Sequence, residues 1–86
     1  MRFRLEVDNV VVSDLVKEFQ IAVKAGGRVD FMAIMYPPEV QVLDKNVRFY
    51  IEDKLIFEGY VNAANYNLQD GKKELRLYAV GLLSKT

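Results

Sequence analysis

VRFYIEDKLIFEGYV, residues 47–61, holds two alternating apolar runs that face each other across a short charged turn. Val47, Phe49 and Ile51 fall on one face of the first run, with Arg48, Tyr50 and Glu52 on the other; Leu55, Phe57 and Val61 repeat the arrangement in the second. Alternation with period two is the mark of a half-buried strand, so the stretch reads as a β-hairpin turning at Asp53-Lys54. Gly59 removes a side chain from the apolar face between Phe57 and Val61, the sign of a bulge, a close strand approach or, most simply, a bend that helps a barrel close.

The same period extends outward in both directions. Phe3, Leu5 and Val7 alternate with Arg2, Arg4 and Glu6, and Asp8-Asn9 supplies turn residues before the β-branched run Val10-Val11-Val12, giving two short strands. Arg28 to Tyr36 reads as a strand ended by Tyr36-Pro37-Pro38, because proline removes a ladder donor and restricts the residue before it. Val40, Val42 and Leu43 fit a short extended piece, and Asp44-Lys45-Asn46 a turn into the central hairpin. Ala63 to Leu68 reads as a strand with Tyr66 and Leu68 on one face. Asp70-Gly71 centres the next turn, and Glu74 to Val80 returns with Leu75, Leu77 and Ala79 sharing a face before Gly81 breaks the pattern.

Residues 13–24 fit two patterns. Ser13 could cap a helix whose apolar stripe is Leu15, Val16, Phe19, Ala22 and Val23, ended by Gly26-Gly27. The same residues also alternate, with Phe19, Ile21 and Val23 on one side of a strand that Ala25-Gly26-Gly27 turns into the next. Six or seven short strands at roughly ten-residue spacing describe a sandwich or barrel rather than a βαβ unit. The expected fold is all-β: one domain over residues 1–86, a small closed or partly open antiparallel β-barrel, with room for one short helix at residues 14–24.

Composition narrows the chemistry. The chain has 86 residues, about half of them apolar, which is an ordinary globular composition with room for one modest core. Twelve basic and twelve acidic residues cancel, so no net field gathers polyanions and nucleic acid is disfavoured as a partner. With no cysteine and no histidine, thiolate metal sites, disulfides and histidine-based acid–base chemistry drop out. Residues 1–7, MRFRLEV, alternate charged and apolar residues instead of forming a signal-peptide core, and no apolar run approaches the roughly 20 residues of a membrane helix. A chain neither secreted by a signal peptide nor spanning a membrane is expected.

Two constellations remain. Asp44, Glu52, Asp53 and Glu58 gather around the central hairpin, where converging carboxylates could hold a hard cation or do acid–base work. Glu52 and Glu58 would face each other across the ladder. Interleaved with Lys45, Arg48 and Lys54, they read better as a solvated sheet edge. Tyr50 and Tyr60 lie on the polar side of the hairpin near Arg48 and Lys54, a pattern that serves subunit contacts and, in OB-type barrels, base stacking. The expected interaction surface is therefore Arg48, Tyr50, Lys54 and Tyr60, with no catalytic residue, metal or cofactor.

From residue 47 to the end the chain resembles a barrel domain of the baseplate-hub proteins of contractile-tailed phages, the group that includes late control protein D. The matching residues are Val47, Phe49 and Ile51, then Leu55, Phe57, Gly59 and Val61, the Asp70-Gly71 turn, and Leu75, Leu77, Gly81, Leu82 and Leu83. The resemblance favours the strand reading of residues 14–24. It implies a non-enzymatic structural subunit, cytoplasmic or virion-associated, that oligomerises or contacts other tail-type proteins. A small module binding single-stranded nucleic acid or a peptide is the alternative.

Overall fold

Three two-residue turns set the register of the sheet. Asp8-Asn9, Glu52-Asp53 and Asp70-Gly71 each hold both residues at positive φ (53° and 66°, 50° and 66°, 53° and 76°), the pair of left-handed conformations that a type I′ hairpin turn requires. The central hairpin thus turns one residue earlier than its sequence pattern indicates, and Glu52 belongs to the turn. The computed structural model describes residues 2–39 and 41–84. They form seven strands: β1 (Phe3–Val7), β2 (Val10–Val11), β3 (Val16–Val23), β4 (Arg28–Met35), β5 (Asn46–Ile51), β6 (Lys54–Gln69) and β7 (Lys72–Leu83).

The strands make one antiparallel sheet in the order β2-β1-β5-β6-β7-β4-β3. The chain is all-β, and the sheet curls into a partly open barrel. Among the described residues no ladder joins β3 to β1 or β2; aromatic packing bridges the gap instead, with the Phe3 and Phe19 rings 5.1 Å apart and Phe19 and Phe49 5.0 Å apart. Phe31 and Phe57 extend the cluster, their ring centroids 5.6 Å apart. Around it Leu5, Val7, Val29, Ala33, Met35, Val47, Val61, Leu75, Leu77 and Ala79 are buried, every one of them on the inward phase of its strand.

Residues 16–23 form a strand because their alternating phase can be paired. Phe19 stands opposite Ala33 and Ile21 opposite Phe31, so the period-two face reaches the core along β4, where a helix would leave that edge of β4 unpaired. Among the described residues, helical geometry is confined to one 3₁₀ turn, Ser13–Leu15; Ala25–Gly27 is a tight turn with Gly26 and Gly27 at positive φ (78° and 80°). Ser13 caps no helix. Its hydroxyl accepts the Leu5 N–H at 2.8 Å while Leu5 C=O accepts the Val12 N–H at 2.9 Å, which completes the exposed side of β1 at the barrel gap. Leu5 is fully buried, so Ser13→Ala strands a donor and should lower unfolding free energy by about 1–2 kcal/mol in a urea titration. An unchanged midpoint would mean that water replaces the hydroxyl.

Other departures from the alternation have physical causes. Tyr36 lies just beyond β4, and Val42 joins no strand but is buried at one end of the barrel; Val40 lies outside the described residues. Gly81 does not end β7. It sits opposite Gly59 in the β6–β7 ladder, and a Cβ added at Gly81 would come within 2.6 Å of both Gly59 Cα and Phe57 Cε2. The two backbones approach so closely that only a glycine pair fits, which permits the sharp coiling of the sheet at this point. Register shifts at Lys17, Ile56 and Asn62 add to the coiling.

Candidate interaction surface

The β-bulge at Asn62 changes the phase of β6. Before it, odd-numbered Phe57 and Val61 point inward; after it, Ala64 stands opposite Leu77 and Tyr66 opposite Leu75. Tyr66 therefore belongs to the inward row that contains Leu75, Met35 and Val16. Leu75 and Met35 are completely buried, yet Tyr66 is 57% exposed and the next inward residue, Leu68, 73% exposed. The cause is the length of the two strands. β5 pairs with β6 only as far as Tyr60, and the loop before β5 reaches one residue further, through Asp44 N–H to Val61 C=O (3.1 Å) and Val61 N–H to Lys45 C=O (2.9 Å).

From residue 63 to residue 69, β6 is flanked on one side by β7 and, among the described residues, by no backbone partner on the other. This seven-residue edge carries no charged side chain: Ala63, Ala64, Asn65, Tyr66, Asn67, Leu68 and Gln69. Beyond Leu75, where β4 also ends, the β6–β7 ribbon is two-stranded and forms an arm. Lys17 braces its base, with Nζ 3.2 Å from Glu74 Oε2 and 4.4 Å from the centroid of the Tyr36 ring.

Of the four surface residues expected from the sequence, Arg48, Tyr50 and Tyr60 share the outer face and Lys54 leaves it. Arg48 and Tyr60 lie on the outer face, where Arg48 stands opposite Glu58, and Tyr60 opposite Asn46 and Val80. Arg48 Nε donates to Glu58 Oε2 at 2.7 Å; that hydrogen bond, and then the charge of Glu58, raise the guanidinium pKa above its ordinary value. Tyr50 is half-buried beneath Arg4, whose Cζ lies 4.0 Å from the ring centroid. Lys54 stands opposite Ile51 at the hairpin tip, on the side of the ladder that carries Phe49 and not on the face of Arg48. Of the four, Tyr60 offers the most open apolar surface, 51% exposed, with Leu82 (64%) and Tyr78 on the same outer face.

The acidic residues do not converge either. Glu52 Oε1 accepts the Arg2 N–H at 2.9 Å, Asp53 pairs with Arg2 (3.1 Å) and Arg4 (3.6 Å), and Glu58 holds Arg48, while Asp44 lies in the loop before β5. Glu52 and Glu58 are thus separated, Glu58 facing Arg48 across the ladder instead. Among the described residues no three carboxylates converge to hold a metal, and no helix is long and apolar enough to cross a membrane. The bare edge of β6 is the feature that the sequence pattern did not single out. Its signal was present: an uncharged run from Tyr60 to Gln69 in which the apolar phase slips from odd to even numbers. No family model, curated protein or solved structure matches the chain.

Proposed function

We propose that the chain is a non-enzymatic assembly module, a barrel that associates with copies of itself or with other proteins of a phage-tail-like structure through the arm of β6 and β7. The observation that supports this reading is the bare, uncharged edge of β6 with Tyr66 and Leu68 exposed beside it. Folded proteins protect free edges with charge, proline, bulges or short strands, because an open row of N–H and C=O groups recruits another strand. The other long free edge, β3, carries Lys17 and Glu18 and is interrupted at Lys17, which leaves residues 19–23 as its uncharged stretch, shorter than residues 63–69 of β6. The edge of β6 from residue 63 onward has none of these protections. The strip of Tyr60, Tyr78 and Leu82 on the outer face supplies a second contact zone next to the Arg48–Glu58 pair.

The module adds backbone hydrogen bonds along the arm and buries Leu68 and Tyr66 against the partner, the mode by which strands are added to sheets generally. Light scattering after size exclusion tests it. The wild-type chain should increase in mass with concentration, and Leu68→Lys, which places a charge at a surface position of the arm, should remain monomeric with unchanged circular dichroism. A variant that assembles as the wild type does would rule the arm out as the contact.

A further inference from the structure

Resting on that assembly reading, we infer that the occupant of the bare edge is a second copy of the chain, its β6 running antiparallel to the first about a two-fold axis at Tyr66. In an antiparallel pair, residues directly opposite share a face, so a two-fold axis normal to the ribbon must pass through a residue position rather than between two. The regular bare segment runs from residue 63, just after the bulge at Asn62, to residue 69, just before the Asp70-Gly71 turn. Its midpoint is Tyr66. An axis there uses the whole segment, setting Tyr66 against its symmetry mate, Ala64 against Leu68 of the second copy, and Asn65 against Asn67.

The pairing is self-complementary in three ways. The two exposed apolar residues of the arm both become covered, each facing an apolar group. No charged residue meets its like, because residues 63–69 contain none. At each end, the tip of one arm stops beside Val61 of the other copy, where the loop bonded to Val61 carries Asp44 and Lys45; the tip brings Asp70, Lys72 and Lys73, so both signs of charge meet at the junction rather than a single repelling one. The two ribbons then join into one four-stranded sheet, β7-β6-β6-β7, that links two barrels.

The absence of cysteine makes the register directly readable. Opposed Cα atoms lie within reach of a disulfide, whereas residues displaced by four along a strand are about 13 Å apart and are not. Under mild oxidation Tyr66→Cys should form a self-linked dimer at a yield roughly tenfold above that of Ala64→Cys or Leu68→Cys alone, while a mixture of those two variants should link efficiently. The mixture retains Tyr66 and so covers the case in which the Tyr66 substitution weakens the contact. A chain that gains mass with concentration but links at none of these positions would overturn this pairing and leave the assembly reading standing on another surface. Equal linking of Ala64→Cys, Leu68→Cys and Tyr66→Cys would report random collision and overturn the register. A chain that stays monomeric and unlinked would overturn the second copy as occupant and restrict assembly to a different protein.

Discussion

Gly81→Ala should lower unfolding free energy by roughly 3 kcal/mol or more, or prevent folding, although it adds a single methyl group. The methyl has nowhere to go: at 2.6 Å from Gly59 Cα it meets backbone, not the end of a flexible side chain, and the Phe57 ring blocks it from the inside. Relief requires β6 and β7 to separate at this point, which also opens the pairs Glu58–Leu82 and Tyr60–Val80 on either side. The sign of the change is decisive. Where a site has room, replacing glycine with alanine stabilises by about 0.4–1 kcal/mol, because the unfolded chain loses freedom. A stabilised Gly81→Ala in a urea titration would therefore show that the two backbones are not in contact. Gly59→Ala should act in the same direction, since its Cβ would lie 2.7 Å from Gly81 Cα.

Phe49→Ala should cost about 3–5 kcal/mol, a large share of the stability of a domain this size. Phe49 is completely buried, and its ring contacts Phe3 (6.0 Å), Phe19 (5.0 Å) and Phe31 (5.1 Å) between centroids. Those partners come from β1, β3 and β4, so the ring joins both sides of the barrel gap that no hydrogen-bonded ladder closes. Phe49→Leu, which keeps most of the volume, should recover more than half of the loss. Equal losses from the two variants would point to a role for the aromatic ring itself, and a loss below about 1 kcal/mol would mean that the gap is held by other contacts.

Much of the barrel was legible because it rests on two signals that act locally. Period-two burial located β1, β4, β5, β6 and β7, and the Asp-Asn and Asp-Gly pairs marked two of the three hairpin turns. The third turn, Glu52-Asp53, was displaced by one residue, since two acidic residues at positive φ carry no local signature as strong as Asn-Gly or Asp-Gly. Residues 16–23 satisfied both helical and strand periods; what settled them is tertiary, the unpaired edge of β4 and the ring of Phe3 across the gap. Gly81 read as a break because a glycine in one strand reveals nothing of a second glycine 22 positions away that it must oppose.

The interaction surface was less legible than the fold. Alternation identified Tyr50 as outward, but not that Arg4 would cover it, a contact made between β1 and β5. Lys54 left the expected face because the turn and the register shift at Ile56 changed its phase. The exposure of Tyr66 and Leu68 depends on where β5 stops pairing, a length that no residue of β6 encodes.

Amide hydrogen exchange along β6, followed as a function of protein concentration, tests most directly whether the bare edge is an assembly surface. Dilute protein should exchange quickly at the outward-pointing amides of residues 63–69, while those of β7 opposite Val61 and Tyr60 stay protected. Raising the concentration should slow the amides of residues 63–69 selectively and leave the amides on the outer edge of β3 unchanged. Rapid exchange along the arm at every concentration, or slowing that appears first on β3, would contradict the account.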